Sequence, residues 1–202
     1  RAPAHLQMFR NTHPKHQCIW VVPCGYGDDT LLAEAIAATY GMVEMIDDGV
    51  GQILARLAEL GVRDNTIVVF TSDHGDMMGD HGLFLKGFMH YRGTLQVPLV
   101  IDAPGQNPAR TDALASSLDL CPTLPELCQI RGFDGIQGHS LTPVLANPDT
   151  LVNERVLIED DVSDTTTKLT PSLGKTRTVI TNQYRYTRNS KGEEQLFDLL
   201  AD

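Results

Sequence analysis

Residues 66–76 read Thr-Ile-Val-Val-Phe-Thr-Ser-Asp-His-Gly-Asp and carry the strongest structural signal in the chain. The first half is apolar and rich in β-branched residues, which is typical of a buried strand. The strand ends in Asp73-His74-Gly75, and the carboxyl edge of an open α/β sheet is where loops converge on ligands. A carboxylate beside an imidazole suits a divalent cation, because it offers a hard oxygen and a neutral nitrogen. The alternative is an ordinary turn, since Asp and Gly are common turn residues.

Further motifs follow this strand in order. Asp80-His81-Gly82 comes next, then Lys86, thirteen residues after Asp73, and then a second strand signal, Gln96-Val97-Pro98-Leu99-Val100-Ile101. This ordered set, across residues 66–105, resembles the sulfatase family of the alkaline-phosphatase-like superfamily. The resemblance implies an α/β fold: the C-terminal part of an alkaline-phosphatase-like sheet flanked by helices, from a metal-dependent hydrolase of sulfate esters.

The resemblance implies a role for three side chains. Asp73 would ligate a divalent metal ion, and His74 would be the second ligand, at a position where many relatives carry Asn. Oxygen ligands favour calcium, whereas an imidazole is also compatible with manganese or zinc. Lys86 would be both a catalytic and a substrate-binding residue, with its ammonium group on the sulfate. The alternative for Lys86 is a solvated loop lysine, the usual state of this residue type.

Two histidines of the same loop are weaker candidates. His81 would donate to the substrate or protonate the leaving group, which makes it a catalytic candidate, and its alternative is a hydrogen bond within the loop. His90 would bind substrate by lining the cleft together with Tyr91. Asp76 and Asp80 are expected to cap the loop rather than to serve the site.

The nucleophile of the family is not found in this sequence. Sulfatases carry a Cys or Ser in a Cys/Ser-x-Pro-x-Arg motif, which is converted to formylglycine, and an early pair of Asp metal ligands. The resemblance runs from about Leu31 to Leu199 and covers only the C-terminal half of the family. We therefore expect a fragment that is inactive alone. Because parallel strands without their neighbours expose edges and apolar faces, we also expect a homo-oligomer or reliance on the missing N-terminal half.

Composition narrows the choice of partner. The chain has 202 residues, of which 42% are hydrophobic and 21% charged, and a formal net charge of −10. Such a chain is not expected to bind nucleic acid or an anionic membrane unaided, and no stretch approaches the roughly 20 apolar residues of a membrane span. The expected ligand is a small sulfated or phosphorylated substrate.

The four cysteines leave the redox compartment open. Cys121 and Cys128 are expected to be buried thiols, whereas Cys18 and Cys24 could pair in an oxidising compartment. Localisation is therefore left open.

The residues before and after the motif predict the rest of the α/β fold. Apolar residues at alternating steps of three and four predict a long helix over 29–60, packed on a sheet. Strands at 66–71 and 97–101 flank a loop at 72–93, whose length favours a functional role. A short amphipathic helix is predicted within 116–130.

Beyond residue 146 the sequence changes to short β-prone runs separated by polar turns. We predict that residues 146–202 form a small antiparallel subdomain and that residues 1–145 are the C-terminal portion of the catalytic α/β domain. The strands of the subdomain are predicted at 155–159, 177–181 and 184–188.

Three functions stay open at this level. The leading interpretation is part of a sulfatase. The second is a phosphate-ester or phosphonate-ester hydrolase, because relatives with the same Asp–His pair and lysine act on those esters. The third is a non-catalytic binding or structural module derived from such an enzyme.

Overall fold

The computed structural model describes Val22–Pro23 and residues 29–86, 90–131, 135–161 and 175–201. The chain divides into two compact units, Arg1–Pro104 and Gly105–Asp202. The family-domain boundary predicted after residue 145 stays a prediction. The predictions for Cys18 and Cys24 lie outside the described residues.

The first unit combines helices with two small sheets, as the α/β prediction requires. Short 3-10 turns lie at Arg63–Asn65 and Asp80–Gly82. The helices and strands are β1 (Val22–Pro23), α1 (Asp29–Glu59), β2 (Val68–Thr71), β3 (Leu83–Phe84), α2 (Arg92–Leu95) and β4 (Leu99–Asp102).

Helix α1 ends where the sequence predicts. Gly61 has a φ of 67°, a left-handed conformation that glycine adopts without steric penalty. The Gly61 N–H donates to the Ala58 carbonyl, and the Val62 N–H donates to the Leu57 carbonyl, which together form a Schellman motif. The turn directs the chain into β2. In the described ranges no helix has the combination of length and hydropathy that crossing a membrane requires.

The apolar face of α1 is only partly covered. Leu32 packs over Gly79, where an added Cβ would lie 3.1 Å from the leucine Cδ1. Thr39 Oγ1 lies 3.8 Å from Met78 Sδ. The described residues do not bury the rest of this face on a sheet, contrary to the prediction, and the expected self-association stays a prediction. The large apolar side chains that are more than half exposed include Val43, Ile46, Ile53 and Leu60.

Strands β2 and β4 pair antiparallel, with Val68 opposite Asp102 and Thr71 opposite Leu99. The parallel pairing expected from the sequence is wrong for these two strands. A parallel pair needs a crossover that carries the chain back to the opposite end of the sheet, whereas the only α-helix described in this connection, α2, has four residues. The segment between the strands therefore leaves β2 and enters β4 at the same end of the sheet. We call residues 72–93 of this segment the motif loop.

The second unit contains two short helices and a four-stranded antiparallel sheet of order β5-β6-β7-β8. Each strand pairs with the next along the chain, which confirms an antiparallel region at the C-terminal end of the sequence. The elements are α3 (Leu120–Leu127), α4 (Thr142–Ala146), β5 (Val156–Asp160), β6 (Thr176–Ile180), β7 (Tyr184–Asn189) and β8 (Glu194–Asp198).

A buried carboxylate organises the helical part of this unit. Asp119 is 1% exposed, and its oxygens accept from the Ser116 N–H, the His139 N–H and Asn153 Nδ2, each at 2.8 Å. His139 Nδ1 donates in turn to Asn153 Oδ1 at 2.7 Å. Because buried polar groups must be hydrogen-bonded to be tolerated, this network fixes the start of α3 and the turn before α4.

The cysteines of α3 do not follow the prediction. Cys121 and Cys128 are free thiols and are exposed, so the expectation of buried thiols is wrong. Residues seven apart lie on the same side of a helix. The buried position of α3 is Thr123, which lies on the opposite side and whose hydroxyl donates to the Asp119 carbonyl.

Candidate active site

The beginning and the end of the motif loop cross each other at two glycines, Gly75 and Gly93. The Gly75 N–H donates to the Thr94 carbonyl at 2.9 Å. A Cβ at Gly75 would lie 2.0 Å from the Gly93 carbonyl oxygen, and a Cβ at Gly93 would lie 2.9 Å from the Asp76 carbonyl oxygen. Neither position has room for a side chain, so the crossing requires both glycines.

Asp76 closes the middle of the motif loop. Its Oδ1 accepts from the Met78 N–H at 2.9 Å and from the Leu85 N–H at 3.0 Å. The Met77 N–H donates to the Leu85 carbonyl at 2.9 Å, and the buried side chains of Met77 and Leu83 lie beneath. Asp76 is therefore a loop cap, as the sequence predicts.

Asp73, His74 and Lys86 come together where β2 meets the motif loop. His74 Nε2 lies 3.4 Å from Asp73 Oδ2 and 2.5 Å from Lys86 Nζ. His74 Nδ1 lies 2.9 Å from the Gly75 carbonyl, so Nδ1 carries the proton and donates. Nε2 is then the acceptor, and it receives the hydrogen bond of the lysine ammonium group. The structure thus brings three of the five predicted site residues into contact.

Asp73 is strongly exposed, and its environment favours the ionised form. The His74 N–H donates to Asp73 Oδ1 at 2.9 Å and lowers the pKa of this carboxyl, against a smaller opposing effect of desolvation. The charge of the Lys86 ammonium group lowers the pKa further. A lowered folded-state pKa stabilises the fold above the ordinary value of 3.8, and this contribution is lost as the pH falls through the folded-state pKa.

Asp73 and His74 carry the types of donor atom that bind a divalent cation. A carboxylate oxygen and an imidazole nitrogen 3.4 Å apart are close enough to bind one ion once the Lys86 ammonium group leaves Nε2, since metal–ligand bonds of this kind are about 2.0–2.6 Å long. The backbone carbonyl on Nδ1 is the type of partner that orients metal-binding histidines. The described part of the chain has no group of three or more His, Cys, Asp or Glu that could hold a metal ion. Asp73 and His74 therefore form only part of a ligand set.

His81, His90 and Tyr91 occupy different environments. The His81 side chain is exposed, and its ring centroid lies 4.0 Å from that of Tyr91 with a tilt of 34°. Tyr91 is 3% exposed and His90 8% exposed, so Tyr91 packs beneath His81 rather than forming an open cleft wall. The predicted roles of His81 and His90 stay predictions. Sequence reasoning missed Gly93 and Thr94, since no local pattern marks a residue that a distant loop crosses.

Residues 5–130 match the family profile described as Sulfatase, and residues 79–202 match the profile described as N-sulphoglucosamine sulphohydrolase, C-terminal. The first match alone covers more than half of the chain.

The chain belongs to the sulfatase family.

Two similar proteins are named as sulfatases. This sulfatase chain is 31% identical to the ulvan-active sulfatase of Formosa agariphila over 84% of its own length and 33% of that protein. It is 33% identical to an arylsulfatase of Clostridium perfringens over 85% of its length and 35% of that protein. The chain thus spans about a third of the length of these relatives.

Solved structures confirm the fold class. A 2-O GAG sulfatase superposes with a TM-score of 0.79 and 26% identity, over 99% of this chain and 42% of that one. The phosphonate monoester hydrolase of Agrobacterium radiobacter superposes with a TM-score of 0.76 and 27% identity, over 85% of this chain and 36% of that one. Both the sulfatase and the phosphonate-ester hydrolase architectures therefore match this sulfatase chain.

The glycine crossing predicts opposite effects for two Gly→Ala substitutions. Gly75→Ala places a Cβ on the Gly93 carbonyl and should destabilise the chain by about 1–3 kcal/mol. Gly51→Ala, in α1 with nothing within 4 Å, should stabilise it by about 0.5–1 kcal/mol through helix propensity. Urea unfolding of both variants measures the difference, and a neutral Gly75→Ala would show that the crossing is not as tight as described.

Proposed function

We propose that this chain is the C-terminal portion of a metal-dependent sulfatase that hydrolyses sulfate esters. The observation that carries the proposal is the contact of Asp73, His74 and Lys86 at the end of β2. An anionic ester needs positive charge on its non-bridging oxygens as the bond to the leaving group breaks. The Lys86 ammonium group and a metal ion held by Asp73 and His74 would supply this charge.

Each residue has a distinct part in this proposal. Asp73 and His74 would hold the metal ion, and that ion would act as a Lewis acid on the sulfate oxygens. Lys86 would place its ammonium group on the same anion. His81 would donate a proton to the leaving oxygen, and His90 would support the cleft from its buried position. Calcium suits the carboxylate best, and the imidazole leaves manganese and zinc as alternatives.

In this proposal another segment supplies the nucleophile, because none of the Cys or Ser residues of this chain lies in a Cys/Ser-x-Pro-x-Arg motif. We propose that a formylglycine residue in the N-terminal half of a sulfatase polypeptide supplies it, and that this half is the partner of the chain. The large exposed apolar side chains of α1 support the need for a partner, because burial of apolar area stabilises an interface.

A second candidate is hydrolysis of phosphonate or phosphate esters at the same residues. It is favoured by the similarity to the phosphonate monoester hydrolase of Agrobacterium radiobacter. The charge demands of the two ester types are alike, so the nucleophile segment and the substrate pocket would discriminate between them. A non-catalytic module is the third candidate, and metal binding tests it.

Metal binding should depend on the two proposed ligands. In calorimetric titrations with Ca²⁺ and Mn²⁺, the native chain should bind one ion, and Asp73→Ala or His74→Ala should weaken binding by about tenfold or more. Asp112→Ala, an exposed aspartate of the second unit, is the matched control and should leave the affinity unchanged. A native chain that folds without binding either ion, or an Asp73→Ala chain with native affinity, would favour the non-catalytic module.

Ester hydrolysis should require more than this chain. With an aryl sulfate and added Ca²⁺ or Mn²⁺, the chain alone should show no turnover. A fusion to the N-terminal part of the Clostridium perfringens arylsulfatase should hydrolyse the ester, and Lys86→Ala in the fusion should lower kcat/KM by about 10²-fold or more. Lys175→Ala, an exposed lysine of the second unit, is the control.

Two outcomes would change the proposal. Turnover by the chain alone that disappears in Lys86→Ala would refute the claim that it is incomplete. A fusion that prefers an aryl phosphonate monoester over the aryl sulfate would move the assignment to the second candidate.

A further inference from the structure

Tyr91 is fixed at both its ring and its backbone. The residue is 3% exposed, so its ring is part of the core of the first unit. Its carbonyl oxygen accepts from the Thr94 N–H and the Leu95 N–H, each at 3.1 Å, and from Thr94 Oγ1 at 2.9 Å. Three donors on one carbonyl leave the residue little freedom to move.

His81 has a left-handed backbone conformation, which neighbouring residues must stabilise. Its φ of 55° and ψ of 17° are left-handed, and for a residue with a side chain this conformation is strained unless its surroundings enforce it. The exposed His81 ring lies on the buried Tyr91 ring, with centroids 4.0 Å apart.

The segment that fixes His81 also fixes His74. The Thr94 carbonyl accepts the Gly75 N–H at 2.9 Å, one residue after His74, and Thr94 is itself buried. Residues 91–94 therefore contact the earlier part of the motif loop at two points, at His81 through the Tyr91 ring and at Gly75 through the Thr94 carbonyl. Through these two contacts one short segment sets the separation between the two histidines.

We propose that Tyr91 is a positioning residue, which holds the His81 imidazole at a set place relative to Asp73, His74 and Lys86 so that His81 donates to a bound sulfate group. The inference rests on the proposed function for the class of ligand. It assigns to Tyr91 a role through His81, with no contact of its own to substrate.

Nuclear magnetic resonance of the full chain tests the positioning itself. The ring protons of His81, assigned with His81→Ala, should show upfield shifts from the Tyr91 ring in the native chain. Tyr91→Phe keeps the ring and should keep the shifts, whereas Tyr91→Leu should abolish them. Tyr184→Leu, a tyrosine of the second unit, is the control. His81 shifts that are unchanged in a folded Tyr91→Leu chain would overturn the proposal.

A double-mutant cycle on sulfate binding separates positioning from plain packing. With inorganic sulfate and Ca²⁺ as the probe, Tyr91→Leu should weaken binding by about three- to tenfold when His81 is present. In the His81→Ala background the same substitution should have no further effect. His139→Ala is the matched histidine control. An equal loss in both backgrounds would mean that Tyr91 only packs the core.

Failure of the proposed function gives a different pattern. A native chain that binds no sulfate would count against sulfate as the ligand class. The His81 shifts would then decide on their own whether Tyr91 positions the ring. If Tyr91→Leu fails to fold, the native chain decides: His81 ring protons without an upfield shift in the native chain and in Tyr91→Phe would overturn the proposal.

Discussion

The hydrogen bond from the Gly75 N–H to the Thr94 carbonyl is the constraint on which the rest of the site depends. It ties the end of β2 to the segment before β4, and the tight contact between Gly75 and Gly93 leaves no space for a side chain at either position. From this crossing, Asp76 closes the loop and Tyr91 supports His81. The antiparallel pairing of β2 and β4 brings both ends of the loop to one edge of the sheet.

The local charges oppose the overall charge of the chain. The chain carries a net charge of −10, which repels anions at long range. At the end of β2, however, an ammonium group donates to His74 Nε2 beside a carboxylate whose pKa is lowered. An anionic ester would therefore be recognised by short-range groups and a bound cation. Because the chain as a whole repels anions, the proposed chemistry needs the positive charge of both Lys86 and a metal ion at the site.

Local patterns predicted the elements well. The spacing in α1, the β-branched run of β2 and the turn signal at Gly61 each depend on neighbours in sequence, and the structure has these elements within a few residues of the predicted bounds. The resemblance grouped Asp73, His74 and Lys86, and the structure places these side chains in contact, while their roles stay predictions. Strand direction, the exposed Cys121 and the burial of Tyr91 were not predictable, because they depend on contacts between residues far apart in sequence.

Hydrogen exchange at the Gly75 amide tests the crossing most directly. If the Gly75 N–H is held by the Thr94 carbonyl in a stable loop, its exchange in the native chain should be slower than in an unstructured peptide by about a thousandfold or more. The amide of Val69 in β2 reports whether the surrounding sheet is folded. A Gly75 amide that exchanges at the unstructured rate while the Val69 amide is protected would contradict the claim that this crossing builds the site.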